Sequence, residues 1–352
     1  ARENDLVLGT HGRSIYVLDD YSALRGLRAE DFQQRLAILG TTPGQQYDAS
    51  PTPSTRFPGS GEYRAANEAY GVMITFMASG DDLAHPDAES DRERRIARRS
   101  AGDTEDKPRK VELTVRDGKG QIIRRQKLPL HQGINRIVWG MERDGVRPMP
   151  GPQAAPLEDG LPGGIEVPAG EYEVTLSLAG ADEEIVTAVS AVTVLPDPRS
   201  PYPPSAQLEN YAAALEIQQM REEAVSAVEQ IVRARSDVEA ILGLVSQRKK
   251  PGRELGEDLA ALQKQGKDLI NGLDALEQLY RKPPATRGIV YDDDKMANRI
   301  GRAMFYVLST RDAPSAAARQ EMERVQQALS ETRTELDGFF NGELAQFRQA
   351  VE

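Results

Sequence analysis

The spacing of apolar and polar positions changes character along the chain, and each change predicts a different kind of element. The opening stretch Asp5-Leu-Val-Leu-Gly-Thr-His-Gly-Arg-Ser-Ile-Tyr-Val-Leu-Asp-Asp20 holds two short apolar runs joined by a Gly-containing turn, which predicts a strand pair within residues 1–25. A two-stranded hairpin is marginal in water by itself. The pair is therefore expected to close a larger sheet, and the chain, which starts at Ala1, reads as the C-terminal part of a longer protein. Residues 26–65 offer a short helical piece from Ala29 to Leu36, then Thr41-Thr-Pro-Gly44 and Ser50-Pro-Thr-Pro-Ser54. That composition favours an extended linker.

Over residues 66–196 the period becomes that of strands. Gly71-Val-Met-Ile-Thr-Phe-Met77 is one run, and Val111-Glu-Leu-Thr-Val115 alternates strictly before Asp117-Gly-Lys-Gly120 turns the chain into Gln121–Leu128. Gly133–Trp139, Gly170–Leu178 and Glu184–Leu195 complete six or seven short strands, with Val111, Leu113, Val115, Tyr172, Val174, Leu176 and Leu178 expected to face inward. A stretch dense in both charge signs, residues 81–109, interrupts them and reads as a solvated insertion. The proline-dense Pro196–Pro204 stops both kinds of element.

Beyond it the period is 3.6. Helices are expected over about 205–247, 253–280, 295–310 and 315–351, the first carrying a stripe from Leu208, Tyr211 and Leu215 through Val225, Val228, Ile231, Val238, Ile241 and Val245. The fold class that follows is multidomain β plus α. An immunoglobulin- or fibronectin-like β-sandwich (66–196) is followed by an up-down α-helical bundle (197–352), and preceded by the strand pair and linker.

Composition narrows the chemistry. A net charge of -11 argues against nucleic acid as a partner, and no run approaches the roughly 18 apolar residues of a spanning helix, so no membrane insertion is expected. With no cysteine and only three scattered histidines, thiolate and imidazole metal sites are not expected, nor is any cofactor.

Local constellations add little chemistry. His11 and Arg13 flank Gly12 and suit a carboxylate or glycan ligand, or else bond carbonyls and Asp19 or Asp20 to lock the turn. Asp292-Asp-Asp294 lacks the spacing of a calcium loop and reads as a solvated segment N-capping the next helix. Arg92–Arg99 is neutralised by surrounding acids and lacks interleaved aromatics, which leaves mixed-charge disorder or an ion-paired surface helix. Glu222, Glu223 and Glu229 are spaced to pair with Arg221, Arg233 and Arg235 along one helix. Trp139 and Tyr172 are expected in the core.

The opening residues closely resemble the last-blade strands of bacterial sortilin-like, BNR-repeat β-propeller proteins, often labelled glycosyl hydrolases. Gly133-Ile-Asn-Arg-Ile-Val-Trp139 resembles a Gly-Leu-Asn-Arg-x-x-Trp-Asp strand of that family's accessory sandwich, with Gly140 in place of the aspartate. Val167-Pro-Ala-Gly-Glu-Tyr-Glu-Val174 resembles its Pro-x-Gly-x-Tyr-x-Val hairpin. The resemblance implies a secreted or periplasmic protein with one or two propellers upstream. It carries over no catalytic set, because the Asp-box consensus Ser-x-Asp-x-Gly-x-Thr-Trp is absent. The expected role is a non-catalytic accessory region that supports its own N-terminal propeller, with self-association or a protein partner at the helices. The alternative is a set of accessory domains on a sialidase-like glycoside hydrolase whose active site lies in that propeller.

Overall fold

The computed structural model describes residues 4–12, 14–48, 68–100, 108–151, 157–179, 184–248, 256–282 and 292–351. The chain divides into two compact units, one of Ala1–Gly145 with Leu157–Pro201 and one of Val146–Pro156 with Tyr202–Glu352. In the first, strands β1 (Leu6–Gly9) and β2 (Ile15–Leu18) precede a one-turn helix α1 (Ser22–Arg25), β3 (Leu36–Thr42), β4 (Gly44–Gln45) and β5 (Val72–Ala78). Helix α2 (Ala88–Ser100) follows, then β6 (Lys110–Arg116), β7 (Ile122–Pro129), β8 (Gly133–Trp139), β9 (Glu142–Asp144), β10 (Gly163–Glu166), β11 (Gly170–Ala179) and β12 (Ile185–Leu195).

Two sheets enclose the core: β3-β5-β8, and β4-β12-β11-β6-β7. Val111, Leu113 and Val115 of β6 and Val174, Leu176 and Leu178 of β11 are fully buried, as strict alternation requires of one inward face. They join Val72, Ile74 and Phe76 of β5 and Trp139 of β8 in a single apolar cluster. Because β12 also runs beside β3, the wall curls into a half-barrel. Trp139 donates its indole N–H to the Glu142 carbonyl at 2.8 Å and meets Tyr172 edge-on at 5.3 Å. Gly71 (φ +140°) lets the Trp139 carbonyl approach so closely that any Cβ would lie 2.2 Å from its oxygen. The β6–β7 turn is held by the Asp117 carboxylate, which accepts from the backbone N–H groups of Lys119 and Gln121, both at 2.9 Å.

Residues 36–46, expected as linker, instead supply strands to both sheets. β3 pairs antiparallel with β5 and β4 pairs parallel with β12. The helical piece expected to reach Leu36 is only a 3-10 turn, Asp31–Gln33. Leu36-Ala-Ile-Leu39 finds a place beside β5, and burial there outweighs local propensity. The rest of that linker, residues 49–67, lies outside the described residues.

The charged insertion contains α2, whose first turn is held by the Asp87 carboxylate accepting from Ser90 N–H at 2.8 Å. Arg35 clamps the base of the insertion, donating to Asp82 at 2.7 Å, and Arg109 approaches the same carboxylate at 3.1 Å.

The second unit is helical, with α3 (Pro204–Gln247), α4 (Glu257–Tyr280), α5 (Met296–Leu308), α6 (Ala316–Phe339), a π turn (Phe340–Leu344) and α7 (Ala345–Val351). Pro204 opens α3, where a missing N–H costs nothing, and the Ser315 hydroxyl caps α6 by accepting from Ala318 N–H at 3.2 Å. The buried face of α3 runs through Ala213, Ala214, Ile217, Ala224, Val225, Val228 and Ile231, rich in small residues that allow neighbouring helices close. Leu208, placed on the expected stripe, is instead exposed. The segment beginning at Val146, expected within the strand domain, belongs here. Arg147 grips Glu229 of α3 with two bonds of 2.6 and 2.7 Å. Glu229 therefore pairs with this strap, and Arg235 pairs with Asp274 at 2.9 Å and with Glu277 on α4.

Candidate functional site

The feature least explained by the fold is the β1–β2 hairpin. Its register places Leu6 opposite Leu18, Val7 opposite Val17, Leu8 opposite Tyr16 and Gly9 opposite Ile15. Cross-strand partners share a face, so Leu6, Leu8, Tyr16 and Leu18 form one face, and Val7, Gly9, Ile15 and Val17 the other. Neither face carries a charged side chain, the Tyr16 hydroxyl is the one polar side-chain group on either, and every residue of both strands is exposed, with Ile15 at 74% and Val7 at 62%. A half-buried strand alternates apolar with polar; a run apolar on both faces is the composition of a strand covered on both sides.

The ladder is equally open. Thr10 N–H bonds the Ser14 carbonyl at 2.9 Å, which fixes the alternation of an antiparallel pair. The backbone groups of Leu6, Leu8, Tyr16 and Leu18 face the partner strand, and those of Asp5, Val7, Gly9, Ile15 and Val17 face outward.

The base of the hairpin, by contrast, is tied firmly to the rest of its unit. Arg136 on β8 donates to the carbonyls of Asp19 and Asp20. The Asp5 carboxylate accepts from Asp20 N–H at 3.0 Å. The Asp20 carboxylate accepts from Ser22 N–H at 2.9 Å and from the Thr42 hydroxyl at 2.5 Å. Burial raises the Asp20 pKa, but the bonds from Ser22 and Thr42 and the Arg136 charge outweigh it and leave the carboxyl below its ordinary value. The hairpin thus combines an anchored base with two uncovered faces.

His11 lies exposed at the tip of this hairpin. Arg13 lies outside the described residues. The Asp20 carboxylate suggested as a turn lock serves the hairpin base, bonding Ser22 and Thr42.

Other polar groups serve the architecture. Trp139, at 1% exposure, is a core residue as expected from its strand. Asp292 gives α5 only its backbone carbonyl, accepting from Lys295 N–H at 2.9 Å and the Asn298 side chain at 2.8 Å, and Lys295 occupies the N-cap position. Asp293, Asp294, Arg299, Arg302, Glu321 and Arg324 line a cleft of about 480 Å³, where Arg302 and Arg324 already hold Glu321 at 2.8 and 3.5 Å. The most deeply buried carboxylate in the helical unit, Glu277 at 2% exposure, is held by Arg235 and Arg281. Burial raises its pKa, and the two guanidinium groups more than reverse that and hold it low. Sequence spacing reveals only half of this triad: Arg281 follows Glu277 at i, i+4, whereas Arg235 is on another helix. Among the described residues no group of three or more His, Asp or Glu is placed to hold a metal ion. No helix among them is long and apolar enough to cross a membrane. Comparison with protein-family models, with curated proteins and with solved structures finds no match to the chain.

Proposed function

We propose that this chain is a non-catalytic accessory region whose β1–β2 hairpin completes a sheet of a β-propeller belonging to the same secreted or periplasmic, sortilin-like protein. The observation that carries the reading is the hairpin itself, apolar on both faces, exposed on both faces and anchored at its base. A propeller blade is packed on both faces by its neighbours, which is the environment this composition fits. The resemblance of Thr10-His-Gly-Arg13 and its flanking strands to a propeller's last blade points the same way. In this reading the two sheets sharing one core are an immunoglobulin- or fibronectin-like sandwich, supported by the antiparallel β6, β7, β11 and β12. The helices are an up-down bundle offering surface for self-association or a protein partner, supported by the exposed Phe305, Tyr306 and Leu308 of α5.

The test is the double variant Val7→Lys/Val17→Lys. In the isolated 352-residue chain both side chains stay in water, and stability changes by about 0.5 kcal/mol or less. In the gene-encoded protein the two ammonium groups enter a packed blade, and the loss is several kcal/mol, on the order of 3–5. An unchanged melting temperature in the gene-encoded protein overturns the docking reading. Hydrolysis of a glycoside by the purified chain overturns the non-catalytic one.

A further inference from the structure

We infer that the incoming sheet joins the hairpin along β1 and leaves β2 as the outermost strand, so that one edge of the pair is a docking edge and the other a terminus. This deepens the proposed function and rests on it. The occupant is a strand of the upstream sheet of the same polypeptide. The area available fits a stable attachment: seven large apolar side chains at 38–74% exposure present roughly 700 Å², close to the ~800 Å² that one partner contributes to a standard interface.

The two edges differ in what lies beside them. Along β1 the outward backbone groups belong to Asp5, Val7 and Gly9, and none of them is hydrogen-bonded among the described residues. Three outward residues span five positions, the length of an ordinary strand. Along β2 the outward row is Ile15, Val17 and Asp19, and the Asp19 carbonyl is already taken by Arg136, whose strand β8 stands behind it. A strand laid along β2 would have only Ile15 and Val17 before meeting the Arg136 guanidinium. The same arginine that anchors the hairpin thus closes its second edge.

Hydrogen exchange on the gene-encoded protein, read at single-amide resolution, tests this. The amides of Val7 and Gly9 point toward the incoming strand and those of Ile15 and Val17 point away. The expected result is Val7 and Gly9 slowed by roughly 100-fold or more relative to the isolated chain, with Ile15 and Val17 unchanged. The reverse pattern overturns the assignment of edges while the docking reading stands. Slowing of all four makes the hairpin an inner pair and overturns the terminal position of β2. If none is slowed, the docking reading falls and this inference falls with it.

Discussion

Replacing Trp139 by alanine removes the largest fully buried side chain of the molecule from the centre of its β core. An indole buries roughly 200 Å², which at about 25 cal/mol per Å² is worth about 5 kcal/mol. The edge-on contact with Tyr172 at 5.3 Å adds about 1 kcal/mol. Residual burial in the denatured chain subtracts about 2 kcal/mol, and the Glu142 carbonyl, bonded at 2.8 Å in the native protein, loses its donor at a cost of about 1 kcal/mol. The expected loss is about 5 kcal/mol, at the upper end of the ~3–5 kcal/mol typical of such truncations. Trp139→Phe keeps most of the packing but still strands the carbonyl, and should cost about 1–2 kcal/mol. Trp139 is the single tryptophan, so its fluorescence disappears with it. Urea-dependent hydrogen exchange of β5, β6 and β11 is the suitable assay, because it reads the first unit separately from the helices. A loss below about 1 kcal/mol for the alanine variant would refute the burial argument.

The helical unit offers two predictions of opposite pH sign. Glu277 has its pKa lowered by Arg235 and Arg281 against the effect of burial. Its contribution is therefore complete above the ordinary glutamate value of 4.5 and is lost as pH falls through the lower folded value. Glu277→Gln should cost about 3 kcal/mol at neutral pH, with a gap to wild type that narrows toward pH ~2 in thermal melts; a pH-independent gap would contradict the pairing. Tyr280 is fully buried, its hydroxyl has no hydrogen-bond partner among the described residues, and burial pushes its pKa up to about 12 from 10.0. Stability is whole below the unfolded value and falls by roughly 2–3 kcal/mol as pH rises from about 10 to 12. Tyr280→Phe should abolish that alkaline loss and stabilise the neutral protein by about 1 kcal/mol, measured by helical circular dichroism; a destabilised variant would argue against the orphaned hydroxyl.

Strict alternation located β6 and its inward Val111, Leu113 and Val115, and the Asp117 turn followed from side-chain chemistry confined to five residues. Helices α3 to α7 were legible from their period, because each buries one stripe along its own length. The failure at β3 and β4 has a definite cause. Thr41-Thr-Pro43-Gly44 has linker composition, yet Pro43 sits where the chain leaves one sheet for the other and no ladder N–H is needed. The apolar run Leu36-Ala-Ile-Leu39 carried the signal that was outweighed. The ion pairs of α3 were misread because helical spacing sees only one helix. Glu229 is claimed by Arg147 and Arg235 by α4, across 82 and 42 residues of sequence. At the candidate site, the apolar hairpin was readable, whereas its anchoring by Arg136 joins residues 117 positions apart and is visible only in three dimensions.

The crossing at Pro43 has a mechanical consequence. A single seven-residue strand and its two-residue continuation stitch the β5 side of the core to the β12 side. Peeling either sheet away drags this shared thread out of the other, so the two layers have no independent route to opening. They should behave as one cooperative foldon, and a fragment cut at residue 66, however tidy by composition, would be missing the seam that makes the two layers one body.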